Sequence, residues 1–199
     1  MSKLLVIVDM QNDFIGDGSL GTREAADIVD RICDYARNYD GDVIATMDTH
    51  EENYTDTQEG RKLPVRHCIW MTEGWELDPR IEEVVSEKIE KNTFGSTALG
   101  ELIARKHYDL VEFCGVCTDI CVISNVLVAK AFSPETPIRV LRDLCAGVTP
   151  ESHEIALAAM EACQVEIGDS KGSSSDEDST FGGQRKLSFN RIRNFLACK

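Results

Sequence analysis

Six short runs of apolar, β-favouring residues recur along the chain: Leu4 to Val8, Asp42 to Met47, a weaker Lys88 to Glu90, Leu110 to Cys114, Ile138 to Leu141 and Val165 to Ile167. They lack the polar alternation of a half-exposed strand, so they predict strands buried on both faces. Between them lie helical patterns. Glu24 to Tyr39 carries Ile28, Ile32 and Tyr35 at helical spacing with Val29 alongside, and Pro79 to Val85, Ala98 to Lys106, Asp119 to Ala131 and Pro150 to Cys163 read similarly. Strands that each lead into a helix predict a doubly wound α/β fold, a six-stranded parallel sheet with helices on both faces.

Two stretches break the rhythm. Thr49 to Leu77 is a long excursion without strong periodicity, and in a compact domain such a segment usually carries function. Near Gly168 the composition shifts, and GDSKGSSSDEDSTFGGQ reads as a solvated linker. The last fifteen residues hold Arg185, Lys186, Arg191, Arg193 and Lys199 with no acid, and Phe189, Ile192 and Leu196 fall at helical spacing. The division expected is a hydrolytic domain over 1–168 and a linker with basic tail over 169–199. That tail is either largely disordered or a short amphipathic helix that docks on its own acidic core, a partner or a membrane surface.

Composition narrows the class. A chain of 199 residues with 42% hydrophobic and 28% charged residues suits one globular domain. The formal charge of −14 repels polyanions, so no nucleic-acid partner is expected. Six basic and four acidic residues from Asp169 onward leave the remainder at −16. No apolar run approaches the roughly 20 residues of a membrane span, and the run ending at Asp9 lacks the form of a secretory signal. A cytoplasmic homo-oligomer without stable membrane association is the expectation. The eight cysteines mostly sit in apolar runs, which fits reduced thiols that fill the core, with one reactive site among them.

Ligands bind a doubly wound sheet outside the carboxyl ends of its strands. Unusual polar groups stand at four such ends: Asp9 after the first, Asp48 after the second, Lys91 after the third, and Cys117 to Cys121 after the fourth. In CGVCTDICV, Gly115 permits a sharp turn and Thr118 or Asp119 can cap the helix that follows. Cys121 then falls in the first helical turn, where free amides and the helix dipole favour a thiolate and can hold an oxyanion. Asp9 is a candidate base for the thiol proton, and Lys91 a candidate partner of both. Taken singly, each is more often a core thiol, a cap or a surface lysine.

The spacing Cys114-x-x-Cys117 invites a redox or zinc reading, but no second pair exists and Cys114 belongs to the strand. A disulfide between Cys117 and Cys121 is a further redox alternative. In the excursion, Asp48 and His50 are two apart and share a side of an extended segment, and Glu59 and His67 follow. Two imidazoles and two carboxylates suit zinc, manganese or iron. His107 and His153, at apparent helix ends, read as ordinary surface residues.

Together LLVIVDMQNDFIGDGSL, the DTH segment, KNTF and GVCTDICV resemble the isochorismatase-like cysteine hydrolases, and within them the nicotinamidases, over roughly residues 3 to 168. That resemblance implies an acid–lysine–cysteine triad falling on Asp9, Lys91 and Cys121, the nucleophile being the cysteine after TDx and not Cys117. It implies a cis peptide between Val116 and Cys117, and an oxyanion hole from the amides of Cys117 and Cys121. Metal ligands fall on Asp48, His50 and His67, with Glu59 as a fourth, because Tyr54 to Thr57 stand where some relatives carry a further histidine. Phe14 matches an aromatic residue that lines the substrate ring.

The function implied is a metal-dependent cysteine amidohydrolase that converts nicotinamide and water to nicotinate and ammonia through a thioester, with one divalent ion, zinc before manganese or iron. Alternatives are a relative acting on a ureido or N-carbamoyl substrate, and a catalytically silent interaction protein that uses its basic tail.

Overall fold

A computed structural model describes residues 1–171. Nearly all of the linker and the whole basic tail lie outside the described residues. Six parallel strands form one sheet: β1 (Lys3–Val8), β2 (Asp42–Asp48), β3 (Glu87–Lys91), β4 (Leu110–Val116), β5 (Ile138–Ala146) and β6 (Glu166–Gly168), in the order β3-β2-β1-β4-β5-β6. The direction of winding reverses between β1 and β4. Leu4 through Val8 have no exposed surface, as the unbroken apolar run requires of a central strand.

Among the described residues there are six α-helices: α1 (Arg23–Arg37), α2 (Gln58–Lys62), α3 (Pro79–Glu82), α4 (Thr97–Lys106), α5 (Ile123–Phe132) and α6 (Pro150–Ala162). Right-handed crossovers put α1 and α3 on one face of the sheet and α4, α5 and α6 on the other. Consistently, α1 packs on α3, whereas α4, α5 and α6 pack side by side. Side-chain caps fix several helix starts. Thr22 accepts from the Ala25 amide at α1, Ser96 from Leu99 at α4, and Thr149 and Ser152 form a reciprocal box at α6. No helix among the described residues is long and apolar enough to cross a membrane.

The structure departs from the pattern-based expectation in three places. β5 continues to Ala146, through Arg142 and Asp143, because Arg142 pairs with Glu154 and Asp143 with Arg31. A short helix, α2, forms inside the excursion, started by the Thr57 hydroxyl on the Gly60 amide. The helix expected from Asp119 instead opens with a separate wide turn, Thr118–Val122, wound as a π-helix.

Candidate active site

Four elements bring their ends together at the carboxyl edge of β1 and β4, where strand order reverses. Asp9 follows β1 in the left-handed region (φ 50°), a conformation aspartate tolerates better than most residues. It is fully buried. Its amide donates to the Thr46 carbonyl at 3.1 Å, and Thr46 Oγ1 donates to Asp9 Oδ1 at 2.7 Å. Lys91, buried at the end of β3, stands opposite Asp48 in the β2–β3 register. Its Nζ lies 2.7 Å from Asp9 Oδ2, 3.2 Å from Asp48 Oδ1 and 3.6 Å from Cys121 Sγ. The ammonium pairs with Asp9 Oδ2 at 2.7 Å, and a carboxylate oxygen has a second lone pair for another proton.

Gly115 is needed for close approach, not for the turn expected of it. It remains in β4 at φ 110°, and a Cβ there would fall 2.2 Å from the Val8 carbonyl oxygen. The Val116–Cys117 peptide is cis. Neither Thr118 nor Asp119 caps the following turn. Thr118 Oγ1 lies 2.8 Å from His153 Nδ1, and Asp119 Oδ1 accepts from the Val148 amide at 3.0 Å. Cys121 is buried within the turn, and Asn125 Nδ2 donates to its carbonyl at 2.8 Å.

The surroundings of Cys121 favour the thiol, against the pull expected from the helix dipole. Burial pushes the Cys121 thiol well above the usual cysteine range, Asp9 and Asp48 push it further, and Lys91 opposes them. Cys117 is pushed up to about 12, by burial first and then by Asp119 and Asp9. Asp9 itself is raised by burial and by Asp48, against the pull of Lys91. Both cysteines therefore rest as thiols, and attack by either requires a base at hand.

Beside this group, Asp48, His50, Glu59 and His67 present ligand atoms that all lie within 4.8 Å of one another. His50 Nε2 is 3.0 Å from Asp48 Oδ2 and 3.6 Å from Glu59 Oε1; His67 Nε2 is 3.5 Å and 3.8 Å from the same two atoms. His67 Nδ1 rests 2.8 Å from the Val65 carbonyl, which leaves Nε2 to face the carboxylates. Burial tends to raise the Asp48 carboxyl, yet hydrogen bonds from both histidines and the charge of Lys91 hold it far below the ordinary range. Two imidazoles with two carboxylates at this spacing fit a divalent ion such as zinc. Tyr54 stands beside the two histidines. Its ring packs 4.6 Å from His50 and 5.0 Å from His67, while α2 supplies Glu59 from the other side.

A cavity of about 300 Å³ joins the two groups, with Cys121, Cys117, Asp48, Glu59, His67 and Phe14 in its wall. Phe14 faces His67 at 5.6 Å between ring centres. Leu20, Leu63, Phe94, Ile120 and Val148 complete an apolar lining suited to a small flat ring. Of the residues expected in the site, Phe14, Asp48, Glu59, His67, Cys117 and Cys121 line this space, and Asp9, His50 and Lys91 adjoin it through Asp48 and Cys121.

The sequence reading passed over the residues that hold this arrangement. Gln11 is fully buried and grips the Asp48 backbone twice, its Nε2 donating to the carbonyl at 2.8 Å and its Oε1 accepting from the amide at 2.7 Å. Asp13 Oδ2 accepts from the Cys68 amide at 2.7 Å, and so pins the excursion to the segment after β1. Asn125 ties the nucleophile turn to the loop after β3 through Ser96 and Phe94. Their signal was available only in part: three polar residues packed between apolar runs (QND) are costly unless bonded. His153, read as a surface residue, is half-buried against Thr118.

Comparison with known proteins fits this geometry. The chain is 29% identical over 184 residues to a nicotinamidase/pyrazinamidase of Mycobacterium tuberculosis, covering 83% of this chain and 97% of the relative. It is 28% identical over 193 residues to a nicotinamidase of Escherichia coli, covering 80% and 90%. Among solved structures, the pyrazinamidase of Pyrococcus horikoshii in complex with zinc superposes with a TM-score of 0.70 at 28% identity, covering 85% of this chain and 99% of that one. The model of the isochorismatase domain matches residues 3–171, and the chain belongs to that family as an amidohydrolase.

Proposed function

We propose that this protein is a metal-dependent nicotinamidase that hydrolyses nicotinamide to nicotinate and ammonia through a thioester on Cys121. The observation that carries the reading is the position of Lys91, whose Nζ spans Asp9 at 2.7 Å and Asp48 at 3.2 Å and so joins the thiol group to the four-ligand group in one cavity. Asp48, His50, Glu59 and His67 would hold a divalent ion, zinc first among the candidates, which would supply Lewis-acid chemistry beside the substrate ring. The relatives named nicotinamidase support that substrate.

The chain's own residues account for the chemistry. Asp9 takes the Cys121 proton on a remaining lone pair of its carboxylate as sulfur attacks the carboxamide carbon. Lys91 keeps Asp9 oriented and offsets the charge on sulfur. The Cys117 and Cys121 amides hold the oxyanion beside the buried Cys121 thiol. Asp9 then gives its proton to the departing nitrogen, the C–N bond breaks, and ammonia leaves a thioester. A water deprotonated by Asp9 attacks that thioester, the C–S bond breaks, and the thiol recovers its proton. Phe14 and the apolar wall keep the ring flat against the ligand group.

Ammonia release from nicotinamide in the presence of zinc tests the proposal, with an N-carbamoyl amino acid as the competing substrate. Release from nicotinamide supports it. Release from the carbamoyl compound alone overturns the substrate assignment, and release from neither overturns the activity.

A further inference from the structure

The loop after β5 and the start of α6 each grip the nucleophile turn at one point. The Val148 amide donates to Asp119 Oδ1 at 3.0 Å, and His153 Nδ1 meets Thr118 Oγ1 at 2.8 Å. Thr118 has no exposed surface, and its hydroxyl has no other hydrogen-bond partner among the described residues. Gly147 lets the histidine come this close, because a Cβ there would stand 2.9 Å from the His153 Cβ. The gripped turn carries both Cys117 and Cys121, so its pose sets the direction of the thiol and of the two amides.

We propose that His153 is a positioning residue, whose neutral ring accepts the Thr118 hydroxyl proton and holds the nucleophile turn in its reactive pose. Protonation of His153 converts that acceptor into a donor. The Thr118 hydroxyl hydrogen is then stranded in a dry site, a loss that loosens the turn. This inference rests on the amidase reading above and adds to it a control of pose from outside the cavity.

The surroundings favour the neutral ring at physiological pH. Burial holds His153 below the ordinary histidine value, more strongly than Glu154 and Asp119 raise it, and Arg142 adds to the lowering. Arg142 and Glu154 are paired with each other, and Asp143 on β5 is paired with Arg31. Glu24 and Asp27 on α1 face the same surface cavity of about 290 Å³. Activity governed by His153 is therefore full above its lowered value and falls as the pH drops through it.

The test combines the pH profile of kcat on nicotinamide with NMR titration of the His153 ring, in the zinc-loaded wild type, H153N, H153A and T118V. Asn places an acceptor near the Nδ1 position and does not titrate. H153N is expected to keep kcat near wild type at neutral pH and to shift the acid limb to lower pH. H153A is expected to lose about tenfold in kcat with little change in KM, the scale on which supporting partners act. T118V, which removes the hydroxyl, is expected to raise the His153 titration midpoint. An unchanged acid limb in H153N, or wild-type kcat in H153A, overturns the proposal. A raised midpoint in T118V with no turnover in any form would instead place the failure in the substrate assignment, and an unmoved midpoint would remove the hydrogen bond on which the inference stands.

Discussion

The two halves of the site are built differently. The thiol half sits on strand ends and on the turn that leaves β4, so Asp9, Lys91 and Cys121 inherit their positions from the sheet. The ligand half is hung on the excursion. Only Asp48 belongs to a strand, and His50, Glu59 and His67 depend on a single helical turn, the bridge from His50 to Ile69, and the Asp13 anchor. A strand end is fixed by a ladder of backbone bonds shared with its neighbours. A loop ligand is fixed by a few side chains, each replaceable at modest cost. The thiol half should therefore fail chemically when altered, and the ligand half should fail by losing its geometry.

The largest effect expected is on the nucleophile. C121A should lower kcat on the order of 10⁴-fold or more while leaving zinc content and thermal unfolding near wild type. Steady-state ammonia release, metal analysis and calorimetry check it together, and substantial residual turnover would remove Cys121 from the mechanism. D9N should approach the same loss, on the order of 10³-fold, since an amide takes no proton from sulfur. Steady-state ammonia release checks it, and turnover in D9N near wild type would remove Asp9 as the base.

On the other half, H67A or a strong chelator should remove bound metal and cut kcat/KM by about 10²-fold, in line with the loss of an anchoring ligand. Zinc should restore the chelated wild type but not H67A. The variant D13A should act more softly. It frees the Cys68 amide and costs about 1–3 kcal/mol of stability, with raised KM and faster proteolysis inside 49–77. Equal protease resistance in D13A and wild type would mean that the excursion is held by something else.

The smallest effect lies outside both halves. Asp78 caps α3 through the Arg80 amide at 2.9 Å and pairs with the Arg80 side chain at 2.8 Å. Burial would raise its carboxyl, but the hydrogen bonds and charge of Arg80 hold it below the ordinary value. A depressed carboxyl contributes stability that is present above the unfolded aspartate value, about 3.9, and is lost as pH falls through the folded value. D78A should cost about 1 kcal/mol at pH 7, the worth of a cap, and the gap should narrow in acid, as thermal unfolding at both pH values would show.

The same contrast explains what the sequence disclosed. Strand ends were legible because buried parallel strands read as apolar runs, and a polar residue that closes such a run stands out, as Asp9, Asp48 and Lys91 do. All six strands were expected, β3 only as a weaker run, and β5 was cut short the most, since Arg142 and Asp143 interrupt its apolar pattern and find their partners on α6 and α1. The excursion was legible as residue types without arrangement, because loop geometry depends on contacts far apart in sequence. Nothing near position 59 announces that α2 turns a glutamate toward His50. The state of Cys121 was misread for a related reason. Local position at a helix start suggested a thiolate, whereas burial and two carboxylates from distant strands set the balance the other way.

The most direct test of one cavity serving both halves is rapid acid quench of the zinc-loaded protein during turnover of nicotinamide, followed by peptide mass mapping. The account predicts a nicotinoyl group on Cys121, absent in C121A. Ammonia release with the acyl group on Cys117, or with no acylated cysteine at all, would contradict it.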